Sequence, residues 1–182
     1  EEWRKLEALW RVSEDSLGER IGTDLQYCCD VLVGLQENRK LVDTVENEVE
    51  LCPCLAVNYE QAQVRVTGKY DYWQKVLCKR LLEIYQEQAS AFDASLLRER
   101  TYLECSAIDT SSLSRVTELI SRVDALKNTW EAKDDALETF RCAQRLLQRN
   151  RFRIPAGFTY CEQIESELSS LKEIAAKKEA AI

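Results

Sequence analysis

The sequence contains no histidine, and this absence limits the chemistry that the chain can perform. Histidine is the commonest general base near neutral pH and the commonest metal ligand, so pairs of serine or cysteine with histidine are excluded. The one Gly-Lys pair, Gly68-Lys69, does not form a phosphate-binding loop, because that motif needs glycine at position 63 and a hydroxyl residue at position 70. The chain has Gln63 and Tyr70 there. The sequence therefore predicts no catalytic residue, no cofactor and no metal in this segment.

Residues that make turns are also scarce, since the 182 residues include only 5 glycines and 2 prolines. This composition favours a few long helices over many short strands. Hydrophobic residues make up 45% and charged residues 31%, which argues against disorder. Methionine is absent and the first residue is glutamate, so we expect the sequence to be a piece of a longer chain.

No apolar run approaches the length needed to cross a bilayer, and no signal peptide or glycosylation site is visible, so we expect neither membrane insertion nor secretion. The net charge of −7 would repel nucleic acid. Four arginines fall between Arg145 and Arg153. They are interpreted as cations at the C-terminus of a helix, where the helix dipole favours them. The alternative is a binding surface for an acidic partner.

The eight cysteines are Cys28, Cys29, Cys52, Cys54, Cys78, Cys105, Cys142 and Cys161. Most of them fall at apolar helix positions, so the main interpretation is that they are reduced and buried like small hydrophobic residues. A zinc site built from the first four is the alternative. It is disfavoured because structural zinc prefers cysteines two to four residues apart, and adjacent cysteines on a helix point in different directions.

Apolar residues recur at spacings of three and four over most of the chain, which predicts helices. The expected segments are a helix over 1–40 with a break near 13–16, a connection over 41–57 with a short helical piece over 42–51, a helix over 59–104 capped by Asn58, a turn over 105–111, a helix over 112–150 and a last helix from 160 onward. Short turns between long helices favour antiparallel neighbours. We therefore expect an all-α fold made of elongated antiparallel helical bundles.

A corner over 152–158 separates the last two predicted helices. Pro155 and Gly157 prevent the preceding helix from continuing. Thr159 stands three residues before Glu162, which is the spacing of a capping box at the start of a helix. This corner is expected to fix how the two helices meet.

The four tryptophans, Trp3, Trp10, Trp73 and Trp130, lie on the apolar faces of the predicted helices. Core packing is their expected role, and contact with a partner helix is the alternative.

Short motifs occur in a fixed order over residues 59–182. They are Lys69-Tyr70-Asp71-x-Trp73-x-Lys75, then Asp109-Thr110, Val116-Thr117 and Leu126-Lys127, then Gln144-Arg145-Leu146-Leu147, Arg151-Phe152-x-x-Pro155, Tyr160, Ile164-Glu165-x-Glu167 and Lys178-Glu179-Ala180-Ala181-Ile182. In this order they resemble the tail region of dynein heavy chains, the cytoplasmic forms more than the axonemal ones. The chain departs from that family at Ile154, Phe158, Ser166 and Leu168.

The resemblance implies a non-catalytic rod segment of a minus-end-directed microtubule motor whose ATPase lies elsewhere in the full chain. Residues 1–57 would be a helical segment and connection of one tail bundle, and residues 58–182 the long antiparallel helices that contain the corner. The segment would act as a scaffold that transmits force and attaches accessory chains in the cytoplasm and cytoskeleton. Implied partners are the intermediate and light intermediate chains, a second heavy chain, and dynactin or adaptors.

Candidate structural or partner-facing residues are Tyr70, Trp73, Trp130, Arg151, Phe152, Pro155, Thr159, Tyr160 and Glu162. Three alternatives stay open. The segment could be an axonemal tail that docks to doublet microtubules through axonemal docking proteins. It could be a spectrin-like cytoskeletal scaffold, although no repeat of fixed period is visible. It could also be a redox- or metal-responsive module built on Cys28, Cys29, Cys52 and Cys54.

Overall fold

A computed structural model describes residues 11–43, 48–52, 54–106 and 113–181 of the chain. The elements in these ranges are α1 (Glu14–Ile21), α2 (Leu25–Asp43), β1 (Glu48–Cys52), β2 (Leu55–Asn58), α3 (Glu60–Cys105), α4 (Leu113–Lys127), α5 (Trp130–Arg149) and α6 (Cys161–Ala180). The expected all-α fold is confirmed, with one small hairpin as the exception. The predictions for Trp3, Trp10 and most of the 105–111 turn lie outside the described residues.

The described residues form two compact units, one up to Ile84 and one from Tyr85 onward. The division falls within α3, so each half of that helix belongs to a different unit. No helix in the described ranges is both long enough and apolar enough to cross a bilayer.

The first predicted helix is interrupted twice. The break near 13–16 is confirmed, because Ser13 caps α1: the Ser16 amide donates to Ser13 Oγ at 3.2 Å, and the Ser13 amide donates to Ser16 Oγ at 3.2 Å. A second break occurs at Gly22, whose φ of +55° ends α1. Glycine reaches this left-handed region without the steric cost that other residues meet.

In the first unit, α2 runs antiparallel to the first half of α3. Three contacts show this direction, because the residue number on the α2 side rises while the residue number on α3 falls. They join Gly22, just before α2, with Arg80, then Arg39 with Asp71, and Val42 with Gln63. The buried apolar side chains of this unit are Ile21, Leu25, Cys28, Cys29, Leu32, Val42, Val66, Tyr70, Trp73, Leu77, Cys78, Leu81 and Ile84. Burial of these side chains is the main stabilising term.

The helical piece predicted over 42–51 is wrong for 48–51, which form a strand, and its residues 44–47 lie outside the described residues. Strands β1 and β2 pair antiparallel, with Glu48 opposite Asn58 and Val49 opposite Val57. Glutamates alternate with apolar residues in β1, a pattern of period two that favours a strand. The Asn58 cap is confirmed, because the Glu60 amide donates to Asn58 Oδ1 at 2.8 Å and α3 begins there.

The helix predicted over 112–150 is two helices, because the chain breaks at Asn128 and Thr129. The Thr129 hydroxyl and the Thr129 amide both donate to the carbonyl of Leu126, at 2.7 and 2.9 Å. Threonine and asparagine side chains can replace helical hydrogen bonds in this way, so the residue types carry the signal for the break.

In the second unit, residues 85–105 of α3 run parallel to α6, and both run antiparallel to the α4–α5 segment. Ion pairs mark this arrangement: Arg100 with Glu167 at 2.8 Å, Arg122 with Glu99 at 2.6 Å, Arg141 with Glu165 at 3.1 Å, and Lys172 with Asp134 at 2.7 Å. Ion pairs that solvent can reach contribute little to stability. They favour one register, and the core supplies most of the stability.

The core of the second unit draws side chains from all three helical segments and from the corner. Its buried apolar side chains are Tyr85, Ala89, Leu96, Leu103, Leu119, Val123, Leu126, Leu137, Phe140, Ala143, Leu146, Leu147, Phe158, Cys161, Ile164, Leu168, Leu171 and Ala175. One buried polar side chain, Gln144, lies among them. It marks the place where the corner is built.

Candidate functional site at the corner between the last two helices

Helix α5 ends in a Schellman motif. The Phe152 amide donates to the Leu147 carbonyl at 3.0 Å, and the Arg151 amide donates to the Gln148 carbonyl at 2.9 Å. Arg151 has φ +50°, the left-handed conformation that this motif usually gives to glycine. The chain therefore places an exposed arginine where a side chain is sterically disfavoured.

The turn that follows brings Phe158 back into the core. Gly157 has φ +83°, which explains why glycine stands there. The Phe158 ring stacks on Tyr85 of α3 with centroids 4.6 Å apart and an interplanar angle of 7°. The expected corner over 152–158 is confirmed as a non-helical stretch, although α5 ends at Arg149, ahead of Pro155.

The predicted capping box of Thr159 and Glu162 is wrong. Helix α6 begins at Cys161, its N-cap residue is Tyr160, and the Tyr160 side chain makes no capping hydrogen bond. Thr159 stands one residue too early to cap this start. The spacing of the motif fits the sequence, but the helix begins at a different residue.

A side chain from the preceding helix takes the place of the local cap. Gln144 Oε1 on α5 accepts a hydrogen bond from the Cys161 amide at 2.8 Å, in a buried setting. Gln144 Nε2 donates to both carboxylate oxygens of Glu162 at 3.2 Å. This orientation of the amide is required, since the backbone amide needs an acceptor and the carboxylate needs a donor. Gln144 thus satisfies one of the amide groups that a helix start leaves unpaired.

Tyr85 ties the same point to α3. Its hydroxyl donates to the Thr159 carbonyl at 2.9 Å and lies 3.3 Å from the sulfur of Cys161. In the contact between Tyr85 and Cys161 either the hydroxyl or the thiol can be the donor. Burial raises the pKa of the Tyr85 hydroxyl above its usual value, with a further contribution from Cys161. Burial also raises the pKa of Cys161, so both groups stay neutral near pH 7.

Glu162 is exposed on the first turn of α6 and is held in its charged form. A hydrogen bond from its own backbone amide lowers its pKa, and the bond from Gln144 lowers it further. A carboxylate in this position also interacts favourably with the positive end of the helix dipole. The start of α6 is therefore stabilised by the ionised carboxylate.

The corner carries a basic face, which we define as Arg145, Arg149, Arg151 and Arg153. All four side chains are exposed. The dipole interpretation holds for Arg149, which lies in the last turn of α5. Arg151 and Arg153 lie beyond the last helical residue, Arg149.

The nine candidate residues do not form a single surface. The corner brings together Arg151, Phe152, Pro155, Thr159, Tyr160 and Glu162. Trp130 begins α5, roughly 30 Å from the corner at 1.5 Å per residue. The amines of Lys133 and Lys172 lie 5.7 and 5.8 Å from its ring centroid.

Tyr70 and Trp73 belong to the first unit, and both are buried there with 4% of their surface exposed. The amine of Lys69 lies 5.2 Å from the Trp73 ring centroid. The expected packing role is confirmed for Trp73, and neither residue presents a partner surface.

The cysteine interpretation is confirmed for four of the eight residues, since Cys28, Cys29, Cys78 and Cys161 are buried. Burial raises the pKa of Cys28 and of Cys78 to about 11.

The interpretation is wrong for Cys52, Cys54 and Cys105, which are exposed, and Cys142 is half-buried. The proposed zinc ligands differ in setting, because Cys28 and Cys29 are buried on α2 whereas Cys52 and Cys54 lie exposed at the hairpin. Within the described ranges no three or more Cys, Asp or Glu side chains are placed to hold one metal ion.

Sequence reasoning missed Gln144 and Tyr85. A signal for Gln144 was present, because it interrupts the apolar run of Ala143, Leu146 and Leu147 on the buried face of α5. A polar residue at a core position predicts a bonding partner. Tyr85 follows Ile84 on the apolar stripe and gives no comparable signal.

The buried polar groups of the corner bond to one another, and its exposed side chains include the four arginines of the basic face, Tyr160 and Glu162. This arrangement holds the start of α6 to α5 and α3.

No family model matches the chain. It is 45% identical over 179 residues, 98% of its length, to the cytoplasmic dynein heavy chain of Eremothecium gossypii. It is 32% identical over 181 residues to the cytoplasmic dynein heavy chain of Caenorhabditis elegans and 31% identical over 182 residues to that of Drosophila melanogaster, 100% of its length in both cases. The chain spans 4% of the length of each of these relatives. Because the similarity runs through the whole chain and recurs in distant organisms, the chain belongs to the family of cytoplasmic dynein heavy chains.

Proposed function

We propose that the chain is a non-catalytic tail segment of a cytoplasmic dynein heavy chain and serves as a helical scaffold. The observation that carries this proposal is the similarity to dynein heavy chains over the whole sequence. The fold supports it, because the described part of the chain consists mainly of long helices with buried apolar stripes. ATP hydrolysis and movement toward microtubule minus ends would reside elsewhere in the full heavy chain, which would act in the cytoplasm on the cytoskeleton.

The second unit is suited to bear load along its helices. Three helical segments are joined by buried side chains and by ion pairs at several levels, such as Arg100 with Glu167 and Lys172 with Asp134. A force applied along one segment is shared with the others through these contacts. The corner holds the start of α6 to α5 and α3, so the helix start resists separation.

We place the attachment of an accessory chain at the corner. The basic face supplies exposed guanidinium groups, and Tyr160 leaves 44% of its surface exposed beside them. Arginine and tyrosine are enriched among the residues that dominate binding energy at protein interfaces. Arg151 keeps a disfavoured backbone conformation, and strain of this kind clusters at functional positions. An acidic segment of the partner would complement this surface.

The proposed partners of the full heavy chain are the intermediate and light intermediate chains, a second heavy chain, and dynactin or adaptors. The test uses the full-length heavy chain carrying Arg151→Glu and Arg153→Glu together. Its control carries Arg98→Glu, an exposed arginine on α3. Each protein is purified with its accessory chains, and their stoichiometry is measured against salt concentration.

The double charge reversal should weaken retention of one accessory chain by about tenfold or more, equivalent to about 1.4 kcal/mol, and the control should not. Equal retention of the accessory chains by both proteins would contradict their attachment at the corner. It would leave the scaffold role to be tested by shape. Isolated protein should be elongated in small-angle scattering, and a compact particle would contradict the scaffold proposal.

The axonemal alternative predicts that the heavy chain docks to doublet microtubules. The relatives named above are all described as cytoplasmic, which favours the cytoplasmic class. Localisation of the tagged heavy chain to an axoneme would reverse this preference.

A further inference from the structure

The hairpin places two exposed thiols side by side. Cys52 ends β1, and Cys54 lies two residues later, just before β2 begins at Leu55. Their sulfur atoms are 3.4 Å apart. Cys52 is paired with Leu55 in the antiparallel hairpin, so the strand pairing holds the chain on both sides of the two thiols. The two thiols therefore meet because of the strand register, and small molecules in solvent can reach both.

The chemical setting of this pair differs from that of the buried cysteines. Hydrogen bonds from the backbone and side chain of Cys54 lower the pKa of Cys52 below its usual value. Burial does the opposite to Cys28 and Cys78, whose pKa rises to about 11. The thiolate is the reactive form of cysteine, and it must be accessible to its target. The hairpin thiols are therefore more reactive than the buried thiols of Cys28 and Cys78.

We propose that Cys52 and Cys54 form a reversible dithiol–disulfide pair that is oxidised by small disulfides such as oxidised glutathione. The proposal is independent of the scaffold function. In the first step the Cys52 thiolate attacks one glutathione sulfur, which forms a mixed disulfide and releases one glutathione thiolate. In the second step the Cys54 thiolate attacks the sulfur of Cys52, which forms the internal bond and releases the second glutathione. The two cysteines lose two electrons and two protons, and one glutathione disulfide becomes two thiols.

The internal disulfide should be easily reduced. A disulfide bond is about 2.05 Å long, so the two sulfurs, which are 3.4 Å apart, must approach further. Exposed or strained disulfides have more oxidising potentials than buried structural ones, and they are the labile kind. The pair is therefore suited to report the thiol–disulfide balance around it.

The chain offers a direct assay. Trypsin cleaves after Lys40 and Arg65, and the peptide between these sites contains Cys52 and Cys54 and no other cysteine. The folded chain is equilibrated without oxygen in buffers of graded oxidised-to-reduced glutathione ratio. The reaction is then quenched with acid, and the free thiols are alkylated. The chain is digested with trypsin, and the mass of the peptide is measured by mass spectrometry.

The proposal predicts that oxidation removes alkylation from both cysteines of the peptide together. The oxidised peptide should be two hydrogens lighter than the reduced, unalkylated peptide and should carry no glutathione. After reduction with dithiothreitol, both cysteines should be alkylated again. In the Cys54→Ser variant the same peptide should stop as a glutathione adduct on Cys52, because the second thiol is missing. A Cys105→Ser variant should leave the hairpin result unchanged.

Three results would overturn the proposal. The parent peptide could stop as a single glutathione adduct, could link two chains, or could keep both alkyl groups at ratios where Cys105 is already modified. Circular dichroism of each variant confirms that the chain is folded in every comparison.

Discussion

Gln144 on α5 accepts a hydrogen bond from the Cys161 amide at the start of α6, at a distance of 2.8 Å. A helix start normally obtains this acceptor from a residue adjacent in sequence. Here it comes from a different helix and is 5% exposed. The same bond therefore begins a helix and fixes its position against a neighbour, so local and tertiary structure are coupled at this point.

Replacing Gln144 with alanine should destabilise the fold. The change leaves the buried Cys161 amide without its acceptor, which costs about 1–3 kcal/mol. Urea unfolding followed by circular dichroism measures the difference. Gln148→Ala is the matched control, because Gln148 is exposed one turn later on α5, and it should change stability by less than about 0.5 kcal/mol. Equal losses in the two variants would show that the bond contributes nothing of its own.

Tyr85 contributes through two separable features. Tyr85→Phe removes the hydroxyl that donates to Thr159 but keeps the ring on Phe158, so it should cost about 0.5–1.5 kcal/mol. Tyr85→Ala also removes the ring and should cost about 3–5 kcal/mol. The difference between the two unfolding free energies measures the ring contact. Near-equal losses would contradict a separate packing contribution.

Arg151→Gly should stabilise the protein. Glycine adopts the left-handed conformation of Arg151 without steric cost, and the gain should exceed its larger entropy loss by about 0.5–1 kcal/mol. Arg153→Gly is the control, because φ is not positive there, and it should be neutral or destabilising. A thermal shift upward for the first variant alone is expected. A downward shift would mean that the guanidinium stabilises the fold by more than the backbone strain costs.

Two carboxylates at the helix interface should respond to pH with opposite signs. The pKa of Glu162 is lowered by its own amide and by Gln144, so the folded state favours its charged form. Its contribution is complete above the unfolded pKa near 4.5 and is lost as the pH falls through the lowered value. The pKa of Asp93 is raised by burial and by the charge of Glu167, so protonation stabilises the fold as the pH falls through that raised value.

Glu162→Gln should therefore be less stable than the parent near neutral pH, and Asp93→Asn should be equally or more stable. One carboxylate oxygen of Asp93 is buried without a hydrogen-bond partner, which supports the second expectation. Both differences should shrink at acidic pH, as the parent carboxylates become protonated. Urea midpoints at the two pH values test this. Differences of the same sign would contradict the assignment of the two environments.

Much of the fold follows from local patterns in the sequence. The start of α3 was predictable because asparagine is a favoured residue at a helix start, and α6 was predictable from its apolar stripe. The break at Thr129 and the hairpin were missed although their signals are present. Threonine after asparagine competes with helix, and Val49 and Leu51 alternate with glutamates in β1.

The cap at the start of α6 could not be predicted in the same way. Thr159 and Glu162 have the spacing of a capping box, and only the position of Gln144 in space shows that the helix begins later. A residue 17 positions away supplies the acceptor. Such a choice depends on which side chain is buried beside the helix start, and that is a property of the packed bundle rather than of any short stretch.

Hydrogen exchange at the Cys161 amide tests the central claim most directly. Amides in the first turn of a helix have no acceptor within that helix and ordinarily exchange early. If Gln144 accepts from Cys161 in a buried setting, this amide should be protected in the parent, and Gln144→Ala should abolish its protection while the amides in the middle of α6 keep theirs. Fast exchange of the Cys161 amide in the parent would contradict the account.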